Sequence, residues 1–110
     1  MTDQTQDIFD QLFATILDRK GADPSTSYVA SLYDKGLHKI AEKVGEEAVE
    51  TIIAATGKDA ADVVAESADL IFHLMVLLAE KGLTLDDIRA ELARREGISG
   101  IEEKNSRSKG

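Results

Sequence analysis

The chain has 110 residues, of which 21 are acidic and 13 are basic, so its formal net charge is −8. This length corresponds to one small domain, and the negative charge disfavours nucleic acid and anionic membranes as partners. The absence of cysteine excludes disulfides and thiolate chemistry, and no apolar run is long enough to cross a bilayer. We therefore expect a cytoplasmic protein with neither nucleic-acid nor membrane partners.

Apolar residues recur with helical periodicity along most of the chain. The first pattern covers about residues 5–19, and a short segment around Tyr28 predicts one or two further helical turns. Two long patterns follow at 37–55 and at about 60–80, separated by a turn at 56–59. A last helix is predicted to begin at a capping box formed by Thr84 and Asp87.

These patterns predict an all-α fold. We expect a helical bundle built on a long antiparallel hairpin of the two long helices and completed by homodimerisation, because a core this small leaves apolar surface uncovered. Residues 1–97 are predicted to form the folded domain. Residues 98–110, rich in Gly, Ser and basic side chains, are predicted to be a mobile basic tail that substrate orders.

Acidic clusters lie on both long helices. Glu47 and Glu50 are three residues apart, as are Glu66 and Asp69, so each pair shares one helix face. Glu50 and Glu66 are each seven residues from the turn between the helices, and Glu47 and Asp69 are each ten residues from it. In an antiparallel hairpin, Glu50 is then level with Glu66 and Glu47 with Asp69, roughly 10–15 Å from the turn.

Four carboxylates at such close range repel one another unless a cation neutralises them. Oxygen ligands suit hard divalent cations, so the pattern favours Mg²⁺, with Mn²⁺ as a substitute. Such a cation would also bridge an acidic protein to an anionic phosphate and activate a water. Glutamate-rich helix faces are, however, commonly just solvated, and the residue pattern alone leaves both readings open.

The residues around these clusters resemble a known family. The acidic pairs E-E-x-x-E and E-x-x-D across a helical hairpin are similar to those of the MazG-like all-α nucleotide pyrophosphatases. Within that superfamily the chain resembles the phosphoribosyl-ATP pyrophosphatases from Phe9 to Arg107. Four stretches carry this resemblance: Ser27-Tyr28, KVGEEAVE at 43–50, ESADLIFH at 66–73 and GISGIEEK at 97–104.

The resemblance implies Mg²⁺-dependent hydrolysis of phosphoribosyl-ATP to phosphoribosyl-AMP and pyrophosphate, the second step of histidine biosynthesis. It also implies a homodimer with two active sites. By position, the metal ligands would be Glu47, Glu50, Glu66 and Asp69, and Glu46 would help to orient the attacking water. Some relatives are fused to the next enzyme of the pathway. This chain has no room for that domain, so we expect a hand-off to a separate phosphoribosyl-AMP cyclohydrolase.

Basic residues supply the expected substrate contacts. Lys43, one helical turn before the first acidic cluster, is predicted to contact a substrate phosphate, although pairing with the neighbouring glutamates is the alternative. Lys104 and Arg107 are predicted to bind phosphates when the tail closes over the substrate, and a merely solubilising tail is the alternative. His73 is expected to be a hydrogen-bonded core residue. Whether Tyr28 stacks on the base or only packs stays open.

Three alternative functions differ in the residues that they require. A house-cleaning nucleoside triphosphate or dUTP pyrophosphatase would use the same acidic residues, but the motif at 97–104 argues against it. A non-enzymatic helical module could use its acidic face to bind a basic partner, and it would show no Mg²⁺-dependent activity. A di-iron carboxylate protein would need Glu-x-x-His pairs, and neither His38 nor His73 follows a glutamate at that spacing.

Overall fold

The computed structural model describes residues 7–98 and 100–109. Every regular element in these residues is an α-helix, so the predicted all-α class is confirmed. None of the described helices is long and apolar enough to span a membrane. The helices are, in chain order, α1 (Ile8–Asp18), α2 (Tyr28–Lys35), α3 (Leu37–Ala55), α4 (Ala60–Glu80), α5 (Leu85–Arg95) and α6 (Gly100–Lys109).

Side-chain caps define where most of these helices begin. Asp7, Ser27 and Asp59 each accept a hydrogen bond from a backbone N–H in the first turn of α1, α2 and α4, respectively. Thr84 and Asp87 form the capping box predicted for α5, with both reciprocal hydrogen bonds present. The helix starts are thus encoded locally in the sequence.

Helix α4 is the centre of the fold. It packs most extensively against α3, to which it is joined by the short connection at 56–59, and it also contacts α1 and α2. A connection this short makes two packed helices run in opposite directions. The core lies where α1 and α2 cover this pair. Its buried side chains are Phe13, Ile16, Val29, Leu32, Ile40, Met75, Val76, Leu78 and Ala79.

The core occupies only one end of the α3–α4 pair. On α3 the sole buried side chain is Ile40, near its start, and on α4 all buried residues lie from His73 onward. The half nearer the connection carries exposed apolar residues instead, including Ile52, Ile53 and Val64. The acidic segments of both helices fall between these two halves, at the edge of the core.

Helices α5 and α6 are peripheral. No side chain of α5 is buried, and Gly97 after this helix has φ of +82°, a conformation that favours glycine. The segment predicted to be a mobile tail contains helix α6, whose described side chains are all exposed. The division into a domain and a substrate-ordered tail stays a prediction, as does homodimerisation.

Candidate metal centre

Three of the predicted carboxylates converge between α3 and α4. One carboxylate oxygen from each of Glu47, Glu66 and Asp69 lies within 4.8 Å of the other two. Glu47 and Glu66 are partly buried, while Asp69 is exposed. The sequence therefore predicted correctly that the two acidic clusters would meet across the helix pair.

Glu50 is not part of this group. Glu47 approaches both Glu66 and Asp69, while Glu50 and Glu66 line one groove between the helices, so the level pairing of Glu50 with Glu66 stays a prediction. Side chains three residues apart differ by about 60° around the helix axis and about 4.5 Å along it. Glu50 lines an adjoining groove of about 400 Å³ nearer the connection, together with Asp62 and Glu66.

The electrostatics of the cluster centre on Glu66. Partial burial raises the pKa of Glu66 above its ordinary value of 4.5, and a hydrogen bond with the Glu47 carboxyl raises it further. The nearby charges of Glu47, Asp69 and Glu50 act in the same direction. Burial and the neighbouring carboxyls thus both disfavour the charged form of Glu66.

The donor set fits a hard divalent cation. Mg²⁺ binds oxygen at about 2.0–2.1 Å, so two ligands of one ion are at most about 4.2 Å apart. The observed limit of 4.8 Å is close to this value, and small side-chain rotations would close the difference. The adjoining groove leaves one side open to water or phosphate. Mn²⁺ prefers the same ligands.

Lys43 and Glu46 flank the cluster on α3. The Lys43 Nζ lies 3.2 Å from Glu46 Oε1 and 4.0 Å from Glu47 Oε2. The hydrogen bond to Glu46 raises the pKa of Lys43, and the charge of Glu47 adds to this. Glu46 itself is exposed and pairs with Lys43 rather than joining the three converging carboxylates. In this structure Lys43 therefore pairs with the neighbouring glutamates beside the cluster, which is the alternative that the sequence left open.

His73 and Tyr28 form a contact that sequence reasoning did not identify. The Tyr28 hydroxyl lies 2.8 Å from His73 Nε2, and His73 Nδ1 lies 2.8 Å from the carbonyl oxygen of Asp69. His73 is buried, which confirms the expected hydrogen-bonded core histidine. The two residues are 45 positions apart and meet because α2 packs on α4, so no local spacing could have indicated the pair.

Lys104 and Arg107 lie on α6, where both are exposed. Among the described residues, α6 takes part in none of the extensive helix contacts, which join α1, α2, α3 and α4. The structure therefore does not test the predicted contact of these two side chains with substrate.

The fold and this site define an all-α protein whose longest helices present an acidic cluster suited to a hard divalent cation. The family model described as phosphoribosyl-ATP pyrophosphohydrolase matches residues 9–96. Relatives named phosphoribosyl-ATP pyrophosphatase match over most of their length. They include proteins of Rhizorhabdus wittichii (62% identical; 92% of this chain and 95% of the relative), Novosphingobium aromaticivorans (60%; 93% and 95%) and Azospirillum brasilense (57%; 91% and 90%).

The chain therefore belongs to the phosphoribosyl-ATP pyrophosphohydrolase family, and it is a hydrolase. The resemblance drawn from the sequence motifs is confirmed.

Proposed function

We propose that this protein hydrolyses phosphoribosyl-ATP to phosphoribosyl-AMP and pyrophosphate in a Mg²⁺-dependent reaction, the second step of histidine biosynthesis. The observation that carries the proposal is the convergence of Glu47, Glu66 and Asp69 within 4.8 Å, in a chain of the family named for this activity. A chain with a net charge of −8 needs a positive intermediary to hold a polyphosphate, and this cluster supplies the ligands for one.

Each carboxylate has a proposed role that follows from its position. Glu47, Glu66 and Asp69 would hold the cation, and Glu50 would complete the set from the adjoining groove when its side chain turns toward Glu66. When bound, Mg²⁺ neutralises phosphate charge and lowers the pKa of a coordinated water. Glu46, exposed beside the cluster, would accept a hydrogen bond from the attacking water and orient it.

Lys43 would bind a phosphate oxygen. Its raised pKa keeps the ammonium charged at neutral pH, and its position beside Glu47 places that charge at the rim of the cluster. The present ion pair with Glu46 is partly exposed, so exchanging Glu46 for a phosphate costs little. Lys104 and Arg107 on α6 would add charge-assisted hydrogen bonds to the phosphates when the tail closes.

The proposal extends to assembly and location. The exposed apolar side chains on the open half of the α3–α4 pair, together with the groove between α1 and α4, support a homodimer. The product would pass to a separate phosphoribosyl-AMP cyclohydrolase. A cytoplasmic location is part of the same proposal, because it gives access to ATP-derived substrates.

The decisive experiment is pyrophosphate release from phosphoribosyl-ATP with Mg²⁺ and with excess chelator. We expect chelator to abolish the release and Asp69→Asn to lower kcat/KM by more than about 100-fold, since loss of even an outer-sphere partner costs 10–100-fold. Glu42→Gln is the matched control, because Glu42 is an exposed carboxylate of α3 paired with Lys39. Release that survives both chelation and Asp69→Asn would refute the metal mechanism.

A substrate panel separates this function from the house-cleaning alternative. The same assay with dUTP and the four dNTPs is expected to give kcat/KM values well below that for phosphoribosyl-ATP. A preference for dUTP would assign the chain to the alternative chemistry, and the absence of activity on all of them would favour a non-enzymatic helical module.

A further inference from the structure

We propose that Tyr28 is the residue on which the nucleotide base stacks, and that His73 positions its ring. This inference rests on the proposed function and names a specificity contact for it. Tyr28 as a whole residue is 51% exposed, although the next two side chains of α2 are buried. A large aromatic side chain held in one orientation at the surface is a ready stacking partner for a base.

Three contacts hold the Tyr28 ring. One face stacks on Phe72, with ring centroids 6.0 Å apart and an interplanar angle of 20°. The ring meets His73 edge-on at 5.7 Å, and the hydroxyl bonds to His73 Nε2 at 2.8 Å. Since Phe72 lies against one face and the hydroxyl is anchored, a base would stack on the opposite face of the ring.

His73 is itself held in place by a contact within α4, the helix that carries Glu66 and Asp69. A carbonyl oxygen only accepts hydrogen bonds, so the 2.8 Å contact between His73 Nδ1 and the Asp69 carbonyl places the proton on Nδ1. In the neutral ring Nε2 is then an acceptor, and the Tyr28 hydroxyl must donate to it. His73 is 5% exposed, so its role is to position Tyr28 rather than to touch the substrate.

Tyr28 lies close to the carboxylate cluster, where the phosphates are proposed to bind. His73 follows Asp69 by one helical turn, about 6 Å along α4. Tyr28 is also near enough to Lys43 to contribute to the raised pKa of that lysine. Lys43 in turn contacts Glu47 of the carboxylate cluster. A nucleotide whose phosphates meet the cluster could therefore reach this ring with its base.

The experiment compares two ligands that differ by the presence of a base. Dissociation constants for α,β-methylene-ATP and for inorganic tripolyphosphate, each with Mg²⁺, are measured by calorimetry on the full chain. For Tyr28→Leu we expect about tenfold weaker binding of the ATP analogue and unchanged binding of tripolyphosphate. Tyr28→Trp should preserve the difference between the ligands, because it keeps a stacking face.

Tyr28→Phe tests the positioning role of His73 without disturbing the buried histidine. It keeps the ring but removes the anchored hydroxyl, so we expect a loss for the ATP analogue smaller than that of Tyr28→Leu. Tyr33→Phe is the matched control on the same helix. It removes a hydroxyl that bonds to the Ile16 carbonyl at 2.9 Å, and it should lower the melting temperature without changing the ratio of the two constants.

The stacking role would be overturned if Tyr28→Leu weakened the binding of both ligands equally or weakened neither. It would also be overturned if the wild-type protein bound the ATP analogue no more tightly than tripolyphosphate. A Tyr28→Phe constant equal to that of wild type would overturn the positioning role of His73. Pyrophosphate release by wild type, measured in parallel, keeps these outcomes separate from failure of the proposed function.

Discussion

Glu47 on α3 and Glu66 on α4 bring carboxylate oxygens within 4.8 Å of each other across the helix pair. Two carboxyls can share a hydrogen bond only when one of them is protonated, because two carboxylates have no proton to donate. Without a cation, a proton on this pair would therefore relieve its repulsion. A divalent cation would compete with that proton for the same oxygens.

Glu47→Gln should stabilise the protein in the absence of metal. The substitution removes one of three converging charges, and the new amide can donate to Glu66. We expect the melting temperature in chelator at neutral pH to rise by about a few degrees. The rise that Mg²⁺ produces in wild type, a consequence of ligand binding to the folded state, should be lost. Thermal unfolding with and without Mg²⁺ measures both effects.

Glu42→Gln serves as the control for this prediction, since it removes a charge from the same helix outside the cluster. Its Mg²⁺-induced rise should equal that of wild type. A lower metal-free melting temperature for Glu47→Gln, or an intact response to Mg²⁺, would contradict the proposed site.

The stability of the metal-free protein should depend on pH through Glu66. Its pKa is raised in the folded protein above the ordinary value of 4.5, so the folded state binds more protons between these two values. The stabilisation is fully present below the ordinary pKa and is lost as pH rises through the folded pKa. Urea unfolding in chelator from pH 4 upward should show this decrease, and Glu66→Gln should reduce it.

Mg²⁺ is expected to act in the opposite sense, because it binds the deprotonated carboxylates and releases a proton. The stabilisation by Mg²⁺ should therefore grow with pH over the same interval in wild type. A Mg²⁺ effect independent of pH would indicate that the cation binds elsewhere.

Lys104→Ala and Arg107→Ala should weaken substrate binding more than they slow the chemical step. If α6 brings these cations to the phosphates in the ground state and transition state alike, KM rises while kcat changes little. We expect increases in KM of about ten- to a hundredfold for each, the range given by the loss of one charge-assisted hydrogen bond. Steady-state pyrophosphate release measures both constants.

Lys35→Ala is the matched control, because Lys35 is an exposed lysine in the last turn of α2. Its KM should match that of wild type. Unchanged KM values for both tail variants would favour the solubilising role of the tail instead.

Val64→Asp should dissociate the predicted homodimer. Val64 is 70% exposed and lines an apolar groove of about 450 Å³ between α1 and α4. In a symmetric interface the substitution occurs twice and places charge in an apolar contact, so we expect the dimer to weaken by about tenfold or more. Light scattering after size-exclusion chromatography reports the mass.

Ala65→Asp adds the same charge at the neighbouring exposed position, which does not line the groove. It should leave the mass unchanged. Wild-type protein that is monomeric at all concentrations would contradict the predicted homodimer directly.

Local features of the fold were predictable because they depend on neighbouring residues. The caps of α4 and α5 at Asp59 and Thr84 follow from short polar side chains placed before apolar helical patterns. The meeting of Glu47 with Asp69 was also predictable, since both lie at the same distance from the connection. That Glu50 stands outside the three converging carboxylates was not predictable, because its direction depends on how α3 is rotated against α4.

The sequence by itself determined the helical class, the starts of α4 and α5, the family and the carboxylate character of the site, because periodicity and side-chain chemistry are properties of the chain alone. Only the tertiary structure decided that Glu47 lies close to both Glu66 and Asp69, and that the Tyr28 hydroxyl is anchored by His73. Such relationships depend on the rotation and crossing of packed helices. Side chains distant in sequence set that geometry, through a core whose packing no local pattern records.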